Sequence, residues 1–490
     1  MTMLTCALPD TAEAALTRSC RFALFARMWA GAALFHLAGN ARDALTTSPG
    51  LAVGSALLGV VALLTLASPR RLSRLVALCV LVPVTAWLEA PVVGNHWVLA
   101  AAISVALVLS AGTAAQRGRD MGIDDVWRMF APTARLTLLA AYAFAAFAKL
   151  NTGFFDPVVS CAVYYHNQLV GSWGLQVLQV AEGDAAGRLL PLVAAVTELT
   201  VAVTLALPRT RRLGLVVAVG FHWVLAMDIA QHFWDFSAVL LATFFLFLDD
   251  GQVTRLREQA RRVRGHRLWP AGLIPVVVAG WALVVLVLNV FPVPRALDLL
   301  LLVLGHLAWW AYGTVAVLAV LGLVTAPRGT AAGRDRLRPP SWVLCAVPAL
   351  VVLNGLTPYL EVKTGFGWNM YSNLRTVDGV SNHLLVPATL DVTGVQGDQV
   401  RIIESSDPEL ARLGEEEYVV AYSEFREYAH AHPDESATYE RGGEVVRAQR
   451  LGDDPAGRGY ISEVSLRLQS FRVIDVSGAE RCQPVFSPAR

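Results

Sequence analysis

Apolar residues run in blocks along the first three quarters of the chain, separated by short polar segments. Runs long enough to cross ~30 Å of hydrocarbon occur at 22–39, 50–67, 72–90, 96–113, 133–150, 188–207, 213–229, 270–290, 297–324 and 341–358. A shorter run, 235–248, follows the polar break Gln231-His232-Phe233-Trp234-Asp235 and reads either as a short span or as the second limb of a re-entrant pair. The pattern predicts an all-α polytopic membrane bundle of about 9–11 transmembrane helices, ten or eleven by direct count. From about residue 359 the blocks give way to alternation. Extended runs at 383–393 and 399–404, a short helix opened by Ser423-Glu424-Phe425-Arg426-Glu427 and closed by Pro433, a hairpin around Gly442-Gly443 and a strand-like stretch at 461–476 predict a small α+β domain. The expected division is therefore a transmembrane helical domain, 1–358, and a soluble domain, 359–490. The second is long enough to bury a core of its own.

Composition agrees with that division. Hydrophobic residues make up 55% of the chain and charged residues 16%, well below the ~25% charge of an average soluble globule. The net charge of +1 conceals a split: residues 1–360 carry 27 Lys+Arg against 18 Asp+Glu, and residues 361–490 carry 13 against 21. An acidic tail argues against a nucleic-acid partner. Arginines at 18/21, 70/71/74, 117/119/128, 209/211/212, 255–267 and 328–338 fall on one side if the N-terminus is cytoplasmic, as the positive-inside rule expects. The alternation closes only if 235–248 is counted as a crossing, and it then leaves the C-terminal domain extracytoplasmic. Polar residues precede the first run and no small-residue cleavage site follows it, so that run is read as a retained helix rather than a signal peptide.

The six cysteines show no CxxC or Cys/His ligand spacing, and no metal site is expected. Cys161 and Cys482 alone fall in segments placed outside the membrane on one side, which leaves a disulfide between them open. The chain has only two lysines, Lys149 and Lys363, against 38 arginines. An amine can lose its proton when desolvated, whereas a guanidinium stays charged. Lys149 ends the apolar run Tyr142–Ala148 at the outer boundary, where it is either a functional amine or a snorkelling interfacial charge. Lys363, in the linker beside Glu361, is either catalytic or paired with that carboxylate, and the pairing is the favoured expectation.

Other ionisable groups within apolar runs are Glu89, Glu198, His222, Asp228, Asp298 and His306. Each is costly in lipid and points either to function or to a satisfied helix–helix hydrogen bond. The topology puts His96, Lys149, Gln231 and His232 at the outer interface together. A Walker A loop, a dinucleotide fingerprint followed by an acidic residue, HExxH and GxSxG are all missing from the sequence, which disfavours soluble-cofactor redox chemistry and metalloprotease activity.

Several of these residues sit in stretches that resemble a known family. Ala146-Phe147-Ala148-Lys149-Leu150-Asn151, followed by Phe221-His222 ahead of an aromatic-rich run, resembles the horizontally transferred transmembrane (HTTM) domain, the membrane domain of vitamin K-dependent gamma-carboxylases. Asn95-His96 resembles the carboxylase stretch holding a functional histidine. Gly365–Arg375, with Trp368-Asn369-Met370, resembles the tryptophan-acidic-methionine stretch after the last carboxylase span, with Asn369 in place of the acid. Asn382-His383-Leu384 completes the pattern, which covers roughly residues 20–390, with an HTTM-like core at about 20–250. The resemblance implies Lys149 as the base on vitamin K or menaquinone hydroquinone, with O2 and CO2 as co-substrates and a glutamyl side chain of a secreted peptide or protein as acceptor. It implies that His96 stabilises the quinone anion, that His222 supports it, and that Asn95, His96, Trp368, Asn369 and Met370 line the quinone site. The tail is much shorter than the lumenal region of a carboxylase and contains no recognisable propeptide-binding part. Two other readings stay open: a membrane maturation or export factor for a secreted peptide without carboxylation, and a transporter. A transporter would show paired halves with broken helices near the midplane, and the sequence shows no such pairing.

Overall fold

A computed structural model of the chain describes residues 10–46, 48–116, 122–181, 184–229, 231, 233–265, 280, 295–326, 337–458 and 462–482. It is mostly helical (65%), with a small sheet region near the C-terminus. Among the described residues seven helices are long and apolar enough to cross a membrane, and up to eight if a bent pair counts as one span. The helices of this part are α1 (Asp10–Thr46), α2 (Pro49–Ala67), α3 (Leu72–Glu89), α4 (Asn95–Gln116), α5 (Ile123–Ala148), α6 (Thr152–Phe155), α7 (Cys161–Ser172), α8 (Ala185–Ala206), α9 (Arg211–Leu225), α10 (Trp234–Phe244), α11 (Asp250–Gly265), α12 (Arg295–Leu323) and α13 (Trp342–Leu356). Two runs expected to span, 213–229 and 341–358, form helices of only 15 residues, and the run at 270–290 lies, apart from residue 280, outside the described residues.

The chain divides into two compact units that interleave along the sequence: Met1–Leu88 with His96–Ala140 and Thr200–Ala349, and Glu89–Asn95 with Ala141–Leu199 and Leu350–Arg490. In the first unit α1 is the central helix, its apolar window 83% buried against 39% for α2. Aromatic rings pack along it: Phe25 stacks on Trp29 and meets Trp127 and Phe130, and higher up Phe35 meets Trp234, Trp309 and Tyr312. On α2, Val53, Leu57, Val60 and Leu64 form an exposed apolar stripe at helical spacing, as a lipid-facing surface requires.

Ion pairs locate the ends of this unit. Arg18 pairs with Asp124, Arg21 with Asp250 and Arg212 with Asp249, and Arg212 also donates to the carbonyl of Ala326. Arginine-bearing segments expected on one side of the membrane thus meet at one end of the unit. Asp235, at the start of α10, bonds instead to His36, fifteen residues further along α1 than Arg21. The segment 235–250 therefore runs antiparallel to α1 over ~22 Å before the chain bends by 116° into α11. Buried Arg135 donates through Nε and Nη2 to the carbonyl of Leu246 near that bend, satisfying an acceptor that the end of the helix leaves open.

In the second unit β1 (Thr376–Val377) pairs antiparallel with β2 (Val380–Ser381), and the C-terminal sheet has five strands, β3 (Gln399–Ser405), β4 (Tyr418–Ala421), β5 (Ala437–Arg441), β6 (Glu444–Ala448) and β7 (Ile474–Asp475), in the antiparallel order β6-β5-β3-β4-β7. The β5–β6 turn is the expected Gly442-Gly443, both at positive φ (58° and 82°), the geometry that suits a two-residue hairpin. Helices Pro408–Glu415 and Tyr422–Ala431 pack Leu410, Leu413, Phe425 and Tyr428 onto Val400, Ile402 and Val420. The stretch 383–393 forms no strand beyond isolated bridges, and 461–476 is a short helix, Glu463–Leu468, before β7, which corrects the extended readings of both. Cys161 and Cys482 form a disulfide.

Glu424 is buried in the first turn of its helix, accepting the amide of Phe471 at 2.8 Å. Burial pushes its carboxyl up to about 8. A folded-state pKa above the unfolded value means that the contribution is fully present below about 4.5 and is lost as pH rises toward 8. At 1.4 kcal/mol per tenfold change in proton affinity, the loss reaches about 5 kcal/mol at most. Hydrogen-exchange protection of residues 418–429, corrected for intrinsic exchange, should fall between pH 5 and 8. Glu424→Gln, which keeps the acceptor without the charge, should flatten that curve; parallel curves for the two proteins would refute this account.

Candidate functional site

Two buried clusters of ionisable groups stand out, one in each unit. In the second unit Lys149 follows the last turn of α5, in the segment where Leu150 N–H bonds to Phe147 O (2.9 Å). Its side chain is buried, and Nζ lies 2.9 Å from Glu198 Oε2 on α8. Nζ also faces the carbonyls of Ala145 and Met370, each at 3.4 Å, and stands 5.9 Å from the centre of the Phe154 ring. This buried ion pair with carbonyl and aromatic contacts replaces the snorkelling alternative. A desolvated pair of this kind persists only when its remaining donors and acceptors find partners.

The floor of the cluster is the loop 361–378, which contains six of the eight non-glycine residues with positive φ among those described, including Phe366, Trp368, Tyr371 and Asn373. Such backbone is costly for residues with a Cβ and survives only where its surroundings hold it. Here the holding is done by side-chain amides. Asn95 Oδ1 accepts from Trp368 N (3.1 Å), and Asn373 Oδ1 accepts from Cys161 N (2.8 Å). Asn382 Nδ2 donates to Asn373 O (2.9 Å), while its Oδ1 accepts from Arg375 N (2.9 Å). Asn151 is fully buried; its Oδ1 caps α6 through Phe154 N (2.8 Å), and its Nδ2 donates to Ala148 O and to Ser372 O. His383 accepts the amides of Leu385 and Val386 at Nδ1 (3.0 and 3.2 Å), so its proton sits on Nε2, which donates to Phe147 O (2.8 Å). Trp368 Nε1 donates to Val351 O (2.7 Å). Asn369 Nδ2 donates to Thr364 O (2.8 Å), leaving its Oδ1 buried and without a protein partner among the described residues.

The structure therefore sets the sequence-expected Met370 against Lys149, holds Trp368 and Asn369 in the same loop with Asn95 bonded to it, and places the Asn382-His383 pair against the 147–151 segment. Lys363 does not pair with Glu361. Its ammonium bonds Asn354 Oδ1 (2.8 Å), while Glu361 Oε1 accepts Gly379 N (2.9 Å) and the hydroxyl of Thr389.

In the first unit His96, in the first turn of α4, bonds through Nε2 to Asp235 Oδ2 at 2.9 Å. His36 Nδ1 reaches the same oxygen at 3.0 Å, and the His36 ring stacks on Trp97 at 3.6 Å. His222 is buried against the rings of Phe221, Phe236 and Phe244. The Phe236 ring also meets His96, so the two expected histidines share an aromatic neighbour. Gln231 and His96 belong to this unit and Lys149 to the other, while His232 lies outside the described residues. Sequence reasoning had singled out Glu198 without its partner and had given His36 and Asp235 no role. No protein-family model matches the chain, and none of the curated proteins or solved structures compared with it is similar to it.

Proposed function

We propose that this protein is a membrane-embedded enzyme acting on a vitamin K- or menaquinone-type hydroquinone, with Lys149 as the base and Glu198 as its proton partner. The reading is carried by one observation: the stretch 146–151 that holds Lys149 meets two others that resemble the carboxylase membrane domain, 365–375 and 382–384, and Asn95 joins the first of these, all within one unit. Glu198 Oε2 stands 2.9 Å from Lys149 Nζ, placed to exchange a proton with it. When Lys149 takes the hydroquinone proton, the resulting ammonium stays beside the developing phenolate and stabilises it. The unpaired Oδ1 of Asn369 is a buried acceptor of the kind that a second hydroxyl would satisfy. The hydroquinone would supply the strong base: with O2 as oxidant, one oxygen atom ends in the epoxide and the other leaves as water with the γ-proton of a glutamyl side chain, whose carbanion then adds to CO2. The Cys161–Cys482 disulfide supports an extracytoplasmic side for its segments, because such bonds persist in oxidising compartments.

The test is turnover of reduced vitamin K or menaquinone by the detergent-purified protein under O2, with labelled bicarbonate and a glutamate-containing peptide. Quinone epoxide and labelled peptide are the expected products. Well-folded protein that forms no epoxide overturns the reading and leaves the chain as a scaffold for maturation of a secreted peptide.

A further inference from the structure

We propose that His36, His96 and Asp235 form a site for a divalent transition-metal ion, of the class that takes two imidazoles and one carboxylate, such as zinc or ferrous iron. The three residues are far apart in sequence, on α1, α4 and α10, yet their ligand atoms all lie within 4.8 Å of one another. His36 and Asp235 are almost wholly buried, and the side chain of His96 is 15% exposed.

Asp235 is a buried carboxylate, and among the described residues its only ion-pair partners are the two histidines. The arrangement around Asp235 suits a cation. Three donors crowd one oxygen: His36 Nδ1 (3.0 Å), His96 Nε2 (2.9 Å) and Asn40 Nδ2 (3.3 Å) all meet Oδ2. The other oxygen, Oδ1, is buried and has no partner among the described residues.

Around an ion with bonds of about 2.0–2.2 Å, tetrahedral ligand atoms stand ~3.4 Å apart. The histidine–carboxylate distances therefore need to open by about half an ångström and the two imidazole nitrogens, within 4.8 Å of each other, to settle to the same spacing, with each imidazole proton moving to the ring's other nitrogen. Two histidines and one carboxylate leave at least one coordination position free. Asn40 donates to the backbone carbonyl of His36 (3.1 Å) as well as to Asp235, and the Trp97 stack fixes the His36 ring, so the donors are held in place before an ion arrives. This site stands independently of the hydroquinone reading, and its test reads metal rather than turnover.

Full-length protein purified in detergent is stripped with chelator and titrated with Co2+, then with Zn2+ in competition. One equivalent of Co2+ with visible d–d absorption, displaced by Zn2+, is the expected result. Asp235→Asn and His36→Gln should each weaken binding 100-fold or more, while His430→Gln, an exposed histidine in the C-terminal domain, should not. X-ray absorption of the Zn2+-loaded wild type provides a reading that does not depend on the variants folding. Two imidazoles in the first shell support the site, and an all-oxygen or thiolate shell overturns it. Wild-type protein that takes up no Co2+ at millimolar concentration overturns it equally, and assigns the cluster to a proton shared between histidine and aspartate.

Discussion

Lys149→Arg and Lys149→Met are both expected to lower hydroquinone turnover by about 10²–10⁴-fold, the range that a positioned base contributes. Arginine preserves the charge opposite Glu198 but holds its proton at any accessible pH. If the ammonium mattered only as the counterion of Glu198, Arg would be tolerated and Met would not. Stability separates the two roles further. Lys149→Met leaves Glu198 buried without its counterion, at a cost of about 3–5 kcal/mol, whereas replacing both members of a buried pair with apolar residues is often neutral or stabilising. The double variant Lys149→Met/Glu198→Met should therefore recover the thermal stability lost in Lys149→Met and recover none of the turnover. Glu198→Gln retains an acceptor but cannot take up the proton, so its turnover should fall with a changed pH profile. Near wild-type turnover in Lys149→Arg would remove Lys149 from the chemistry.

How far these residues could be read from the chain differs by physical cause. Lys149 was conspicuous because the sequence uses arginine almost everywhere and because it ends an apolar run. Glu198 was visible as a carboxylate in an apolar run, but nothing in a one-dimensional pattern pairs residues 49 positions apart on different helices. His36 and Asp235 were hidden for the same reason: the cluster exists only because α10 runs antiparallel to α1, and no local spacing encodes that. The membrane class was legible because hydrocarbon imposes long apolar runs. The helix count was less so, since a 15-residue helix such as α9 and a bend such as that after Phe247 look alike in hydropathy. In the C-terminal domain the Gly442-Gly443 hairpin announced itself through turn chemistry. Strand β4, Tyr418–Ala421, is buried on both faces and shows no alternation, and so it went unread. The helix at Pro408 was also missed, although Asp407 and Pro408 carry ordinary start signals; Asp407 accepts the amide of Glu409 at 2.8 Å.

Asn151→Asp is expected to be more damaging than Asn151→Ala, an order opposite to the one capping preference gives. As the cap of α6, Asn151 uses only its oxygen, and aspartate is an equally good cap residue. Its Nδ2, however, donates to two carbonyls at once, Ala148 at the end of α5 and Ser372 in the strained loop that carries Met370. Alanine removes these bonds and the cap and leaves the carbonyls unsatisfied, at about 1–3 kcal/mol each. Aspartate keeps the cap but sets a carboxylate oxygen against both carbonyls in a fully buried position, where it must either take up a proton or suffer repulsion. The loss should therefore exceed that of alanine and shrink as pH falls, because a protonated carboxyl can still donate one of the two bonds. Because loop 361–378 owes its left-handed backbone to such bonds, the damage should spread to it. Hydrogen exchange in 366–378 should rise in both variants, more in Asp, and the peptides covering β3 to β6 should stay protected. Equal or milder effects of aspartate, or exchange that rises uniformly through the C-terminal sheet, would mean that Asn151 acts as a local cap and that the loop is held by other bonds.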